Sequence, residues 1–233
     1  MTVYVDVTEF LRNPVRTGIQ RVCGELCRWW PGDDLVLVAL SANSRLVPLP
    51  SNARSIIRSY FEAGPDDLPK IREAISQIAD ASRRSQGEID SYNSPIVVPE
   101  VFYDPKRIEF FQTLLLQQSH NVYFIFHDAL PITHPQYFPP QTSYETIEPY
   151  FRLVRHAKHV GFISRSTRDV FCQRLLRRSD FDGPVLRLGS DSMGEPSPRP
   201  GNPGLKFTVV GTIEPRKQHA LVLDAFERLF PEM

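Results

Sequence analysis

The chain has few cysteines, no excess of charge of either sign and no long apolar run. Its 233 residues include three cysteines, and 27 lysines and arginines balance 27 aspartates and glutamates. Three thiols cannot form a disulfide framework, and a chain without a basic excess lacks the field that attracts nucleic acid. The apolar runs Leu35–Leu40 and Val122–Phe126 are far shorter than the ~20 residues that cross a bilayer. These absences exclude a disulfide scaffold and a transmembrane protein, and they predict no nucleic-acid partner.

The first residues carry neither the basic segment nor the long apolar core of a signal peptide, so we expect a cytoplasmic protein. Cys23 and Cys27 lie about one helical turn apart, which is not the spacing of a zinc loop. We therefore expect them to be thiols in or beside the core, and we expect no metal ion.

Segments typical of strands alternate along the chain with segments typical of helices. Hydrophobic residues make up 41% of the sequence, which is enough to form a core. Apolar runs without strict alternation favour parallel strands that are buried on both faces. Strands are predicted at 3–7, 35–40, 122–126, 159–163 and 185–188, and helices at 19–30 and 68–78, from Pro105, around Tyr150, and from a capping box formed by Ser166, Thr167, Arg168 and Asp169. This order predicts an α/β fold with a Rossmann-like parallel sheet and helices on both faces.

The length exceeds one domain of roughly 150 residues but does not reach two. We predict a first domain over residues 1–191 and a linker over 192–205, where prolines and glycines crowd together. Residues 206–233 then supply one strand and one helix, a single β-α unit of a truncated second Rossmann-like domain, because one unit cannot form a domain alone.

Two adjacent cations precede the last predicted helix, at 218–230. Arg216 and Lys217 follow the strand-like run 206–210. Ligands of α/β sheets bind where strands end, and the N-terminus of a helix attracts anions. Arg216 and Lys217 would together neutralise a diphosphate. The alternative is a pair of solvated cations, and the local pattern leaves both interpretations open.

Five motifs occur in a characteristic order. They are residues 6–8 with 16–22, His-Asp-Ala-Leu-Pro-Ile at 127–132, Phe-Ile-Ser-Arg-Ser-Thr at 162–167, Leu-Gly-Ser-Asp at 188–191, and Val-Gly-Thr-Ile-Glu-Pro-Arg-Lys-Gln-His at 210–219. Together they resemble the family-4 (group 1) glycosyltransferases, bacterial polysaccharide mannosyltransferases among them. This family has the GT-B architecture of two Rossmann-like domains facing a cleft. The resemblance covers most of residues 1–40 and 120–233.

The resemblance implies transfer of a sugar from a nucleotide sugar to a saccharide or lipid-linked acceptor, with retention and without a metal ion or other cofactor. By position, Lys217 corresponds to the lysine of the family that binds the diphosphate. The arginine that often follows the glycine is replaced by Thr212, and Arg216 is our candidate for the second positive charge. The paired-glutamate segment of the family is absent from these residues, so we expect this chain to transfer sugar poorly.

Three further positions are candidates for ligand contacts. Gly18 lies in the first strand-helix loop, where a missing side chain lets a phosphate or sugar approach the backbone, although an ordinary turn glycine would look the same. His127 ends a buried strand, and the resemblance implies that it contacts the donor sugar; otherwise it is an interior histidine. Asp128 either bonds acceptor hydroxyls or caps the proline-rich loop after it.

Five arginines follow helical spacing: Arg165, Arg168, Arg174, Arg177 and Arg178. Such a face is usually solvated, and the alternative is peripheral contact with the anionic inner membrane near a lipid-linked acceptor. Two other functions remain open. One is a non-catalytic Rossmann-like binding or partner domain. The other, a nicotinamide oxidoreductase, is disfavoured because G-x-G-x-x-G is absent.

Overall fold

A computed structural model of the chain describes residues 1–89, 94–118, 120–138, 144–177, 181–189 and 207–230. In these residues, six strands form one sheet in the order β3-β2-β1-β4-β5-β6. Strand β3 is antiparallel to β2, and all other neighbours are parallel. The strands are β1 (Val3–Asp6), β2 (Leu35–Leu40), β3 (Leu46–Pro48), β4 (Ile96–Val98), β5 (Val122–Phe126) and β6 (His159–Phe162).

Helices connect the strands. They are α1 (Thr8–Arg12), α2 (Gly18–Trp29), α3 (Ala53–Glu62), α4 (Leu68–Arg84), α5 (Pro105–Gln118), α6 (Leu130–Thr133), α7 (Tyr144–His156), α8 (Arg165–Val170) and α9 (His219–Leu229). A π-helix, Phe171–Leu176, continues α8. The predicted α/β class with a mostly parallel sheet is confirmed. None of the described helices has the length and apolar character needed to cross a membrane.

The two faces of the sheet pack against different helices. Leu37 packs in a buried cluster with Cys23 of α2 and Ile75 of α4, whereas its neighbour Val38 packs in a second cluster with Phe111 of α5. Successive side chains of a strand point to opposite faces, so each cluster is the core of one layer. Helices therefore cover both faces, as the sequence predicted, and Cys23 and Cys27 are buried free thiols.

Between residues 41 and 100, the only element predicted from the sequence is the helix at 68–78, which is α4. The structure forms β3, α3 and β4 there. Strand β4 has only three residues and lies between Pro95 and Pro99, so its apolar run is too short to be distinguished from a loop. It is nevertheless central, because it joins β1 to β5.

The predicted capping box at residues 166–169 is wrong. The N-cap of α8 is Ser164, two residues earlier, and the helix begins at Arg165. Ser164, two residues after β6, has extended backbone angles, and its Oγ accepts the N–H of Thr167 at 3.0 Å. A serine in that conformation satisfies a free amide of the first turn, which Ser166, already inside the helix, cannot do.

The two last predicted strands are not formed as expected. In the predicted strand at 185–188, only Val185 makes a bridge, to Phe162. In the predicted strand at 206–210, the described residues 207–210 form no strand, because no neighbouring strand pairs with them there. Helix α9 is confirmed, but no described residue from 207 to 230 is buried. The predicted linker, at 192–205, lies outside the described residues.

Candidate functional site

The direction in which the chain adds strands reverses between β1 and β4. Strands β2 and β3 lie on one side of β1, and β4, β5 and β6 lie on the other. At such a switch point the loops after two neighbouring strands diverge and leave a crevice at the carboxyl edge of the sheet. Asp6 ends β1, Glu100 lies two residues after β4, and His127 directly follows β5. The candidate site is therefore the group of side chains at this edge.

A buried ion pair lies at the end of β1. Arg107 of α5 donates to Oδ2 of Asp6 through Nη2 at 2.6 Å and through Nε at 3.2 Å, and neither side chain is exposed. The other oxygen, Oδ1, accepts the N–H of Thr8 at 3.0 Å and its hydroxyl. The guanidinium also lies 4.0 Å from the centre of the Phe102 ring. Asp6 thus fixes the loop after β1 to both α1 and α5.

Glu100 reaches the same loop from β4. Its Oε2 accepts the N–H groups of Glu9 and Phe10 in the first turn of α1, at 3.0 and 3.1 Å. Burial raises the pKa of Glu100 to about 8, although the charge of Arg107 and the Phe10 N–H favour the anion. At neutral pH the carboxyl is therefore mostly protonated. The arrangement holds one cation, one anion and one neutral acid in contact with the start of α1.

His127 is 4% exposed, and its Nε2 lies 2.7 Å from the carbonyl oxygen of Pro99. A carbonyl can only accept, so Nε2 carries the proton and Nδ1 is the free acceptor. Burial lowers the pKa of His127, with the Pro99 carbonyl and the charge of Asp128 opposing the shift. The ring is therefore neutral at pH 7. Its Nδ1 can accept a hydrogen bond from a hydroxyl, whereas its Nε2–H already donates to the loop after β4.

Asp128 caps the loop that follows β5. Its Oδ1 accepts the N–H of Leu130 at 3.0 Å, as expected for the loop-capping alternative. The side chain is exposed and also lines a cavity of about 710 Å³, together with Thr133, His134 and Thr167. This cavity lies at the carboxyl ends of β5 and β6. Capping the loop and facing the cavity are compatible roles for Asp128.

Gly18 is the first residue of α2. Thr17 is the N-cap and accepts the N–H of Gln20 at 3.3 Å. The Gln20 amide in turn bonds the backbone of Val15 and Asn13, so the loop before the helix is fixed. A Cβ built at Gly18 meets no atom within 4 Å. Packing within the protein therefore does not require glycine there, and the position is open to a ligand.

The predicted diphosphate loop forms a 3₁₀ turn, Pro215–Lys217, directly before α9. Arg216 Nη2 lies 2.8 Å from Oε1 of Glu214, so its charge is already paired. The ammonium group of Lys217 has no hydrogen-bond or ion-pair partner among the described residues, and the stem of the side chain lies against Gly211. The loop therefore brings Gly211, Arg216 and Lys217 together, with Lys217 as the cation that remains free. The structure gives this loop no contact with His127 or Asp128.

Glu100 and Arg107 were not predicted from the sequence. Glu100 has one usable signal, because it follows a short β-branched run, as Asp6 follows Val3, Tyr4 and Val5. Arg107 has none, since arginine on a helix is normally exposed. The described residues contain no group of three or more His, Cys, Asp or Glu side chains placed to hold a metal ion.

Comparisons of the chain with protein-family models, with curated proteins and with solved structures found no match.

Proposed function

We propose that this chain is the acceptor-side domain and the beginning of the donor-side domain of a retaining glycosyltransferase that uses a nucleotide sugar. The acceptor in this proposal is a saccharide or a lipid-linked saccharide. The proposal rests on the resemblance described above and on where the resembling segments lie in the fold.

One observation carries it. Three of the resembling segments, around Asp6, His127 and Ser164, follow strands β1, β5 and β6 and meet at the carboxyl edge of one parallel sheet. This is the edge at which α/β sheets bind their ligands, and Asp128 and Thr167 line a cavity there.

The chemistry requires stabilisation of negative charge on the departing diphosphate. A fixed cation beside a helix start provides this without a metal ion. The ammonium group of Lys217 has no competing partner among the described residues, whereas the charge of Arg216 is partly neutralised by Glu214. His127 in its Nε2–H form accepts a sugar hydroxyl at Nδ1, which orients the donor without moving a proton.

The experiment is calorimetric titration of the chain with UDP and GDP. We expect one of them to bind, and Lys217→Ala to weaken binding at least tenfold, since a hydrogen bond to a charged group contributes about 1.5–3 kcal/mol. Lys70→Ala, which removes an exposed lysine of α4, is the matched control and leaves binding unchanged. Turnover is the secondary readout.

His127→Ala separates the two proposed roles. It leaves nucleotide binding near the wild-type value and lowers whatever transfer is measured, because its contact is to the sugar. If neither nucleotide binds, the glycosyltransferase proposal is wrong.

A second candidate function is a non-catalytic binding or partner domain. His127 bonds the loop after β4 and Asp128 bonds its own loop, as in a site that only maintains its fold. Val210, Ile213 and Leu229 are largely exposed, as in a surface that docks on another protein. This function predicts no nucleoside-diphosphate binding and a stable complex with a partner chain.

A further inference from the structure

A second concave surface lies beside the candidate site, between α7 and the π-helix. It is a groove of about 480 Å³, and its lining includes four arginines, one glutamate and an apolar floor. The arginines are Arg152 and Arg155 of α7, Arg174 of the π-helix, and Arg177 at its C-terminal end. Ile132 and Arg174 line both this groove and the cavity next to Asp128, so the two are contiguous.

The groove has an excess of positive charge that the protein does not neutralise. Glu148 is bound by Arg152 through two hydrogen bonds, of 3.0 and 2.7 Å, so its charge is matched. The guanidinium groups of Arg155, Arg174 and Arg177 have no hydrogen-bond or ion-pair partner among the described residues. Three like charges around one concave surface repel one another, and an anion in the groove would relieve this repulsion.

The backbone at the end of the groove is costly for the residue that occupies it. Arg177 has a left-handed conformation, with φ of 53° and ψ of 37°, at the C-cap of the π-helix. Glycine adopts this conformation freely, whereas other residues are strained in it. The π-helix itself is a rare element that occurs often at functional sites. The left-handed backbone and the π-helix both lower stability at the place where the guanidinium of Arg177 lines the groove.

We propose that this groove binds a phosphate-bearing ligand through Arg155, Arg174 and Arg177. Guanidinium groups match phosphate oxygens in both charge and geometry. The apolar floor, which includes Phe151 and Leu175, suits a ligand whose phosphate is joined to a less polar group. The inference does not depend on sugar transfer or on the Lys217 loop.

The first experiment titrates the chain with inorganic pyrophosphate at low salt. Wild-type protein binds it saturably, and Arg155→Ala or Arg174→Ala each weakens binding about tenfold, as expected for loss of a charged hydrogen bond. Arg72→Ala is the matched control, because it removes an exposed arginine from α4, which packs beside β2 and away from β6. Lys217→Ala also retains binding, which separates this groove from the proposed donor loop.

Arg177→Gly discriminates better than the alanine variants, because it relieves the strain of the left-handed backbone and removes the positive charge in one substitution. The variant unfolds at the same temperature as wild type or a higher one, yet binds pyrophosphate about tenfold more weakly. A merely structural role for Arg177 cannot give this combination.

Vesicles that contain phosphatidylglycerol distinguish the two sources of phosphate. Vesicle binding that is competed by pyrophosphate and lost in Arg155→Ala identifies a lipid phosphate as ligand of the groove. Pyrophosphate binding without vesicle binding identifies a soluble phosphorylated ligand. The proposal is overturned if pyrophosphate does not bind, if its binding is unchanged in the arginine variants, or if Lys217→Ala alone abolishes it.

Discussion

Asp6 and Arg107 are 101 positions apart in the sequence and form a fully buried ion pair, with 2.6 Å between Oδ2 and Nη2. The pair connects the end of β1 to the start of α5, across the switch point of the sheet. Removing one partner from a buried pair leaves an uncompensated charge, which typically costs about 3–5 kcal/mol.

Arg107→Met should therefore lower the free energy of unfolding by about 3–5 kcal/mol in urea titrations, because Asp6 loses its counter-charge. The exposed pair of Arg45 and Glu88 is the control, and Arg45→Ala should cost less than about 1 kcal/mol. The double variant Asp6→Asn with Arg107→Met should recover part of the loss. If Arg107→Met and Arg45→Ala had equal free energies of unfolding, the buried pair would have no special role.

The buried acid of Glu100 makes stability depend on pH. Its pKa in the folded state, about 8, lies above the reference value of 4.5. Its stabilising contribution is therefore complete below pH 4.5 and is lost as the pH rises through 8. Glu100→Gln keeps an acceptor for the amides of Glu9 and Phe10 and cannot ionise. Between these pH values, the unfolding free energy of wild type should fall relative to Glu100→Gln by roughly 1.4 kcal/mol per pH unit; parallel curves would contradict the assignment.

The ring of His127 should still be neutral when the pH falls to 6.5, because burial lowers its pKa from that value. NMR spectra of the imidazole nitrogens at pH 7 should show the proton on Nε2, bonded to Pro99, and a free Nδ1. Since the folded pKa is depressed, the stabilisation from His127 is present above pH 6.5 and decreases as the pH falls. If the ring of His127 titrates at pH 6.5 or above, the assignment of His127 as a buried, neutral donor to Pro99 is wrong.

Ser164 and Ser166 form a matched pair for the start of α8. Ser164→Ala removes the cap of the Thr167 amide and should lower the unfolding free energy by about 1 kcal/mol. Ser166→Ala should change it by only a few tenths, because alanine is at least as good inside a helix. Equal effects on thermal unfolding would restore the capping box that the sequence predicted.

Residues 207–230 should exchange amide hydrogens faster than β5. Phe207, Leu221 and Leu229 are more than half exposed, so little apolar contact opposes local opening. Hydrogen exchange followed by mass spectrometry compares peptides from α9 with those from Val122–Phe126. Equal protection would show that the segment docks on another surface in solution.

Residues near the strand ends show what the sequence can and cannot predict. The position of His127 follows from the apolar run before it, because a buried strand must end where polar residues begin. The direction of its ring does not, since that depends on the carbonyl of Pro99, which directly follows a strand of only three residues. Arg107 looks like any surface residue of an amphipathic helix, and only the three-dimensional fold brings Asp6 beside it. The local sequence pattern predicts helices and strands. Contacts between segments that are distant in the sequence determine which side chains meet at the site.

The central position of β1 has a consequence for biosynthesis. This first strand pairs early with β2, through Val3 and Leu35, but its other edge waits for Ile96 of β4. At about 5–20 residues per second, a ribosome takes roughly 3–12 s to cover that interval. During that time the nascent chain presents an apolar strand edge with no partner, which is a template for aggregation. A stall in translation between β2 and β4 would prolong this vulnerable state.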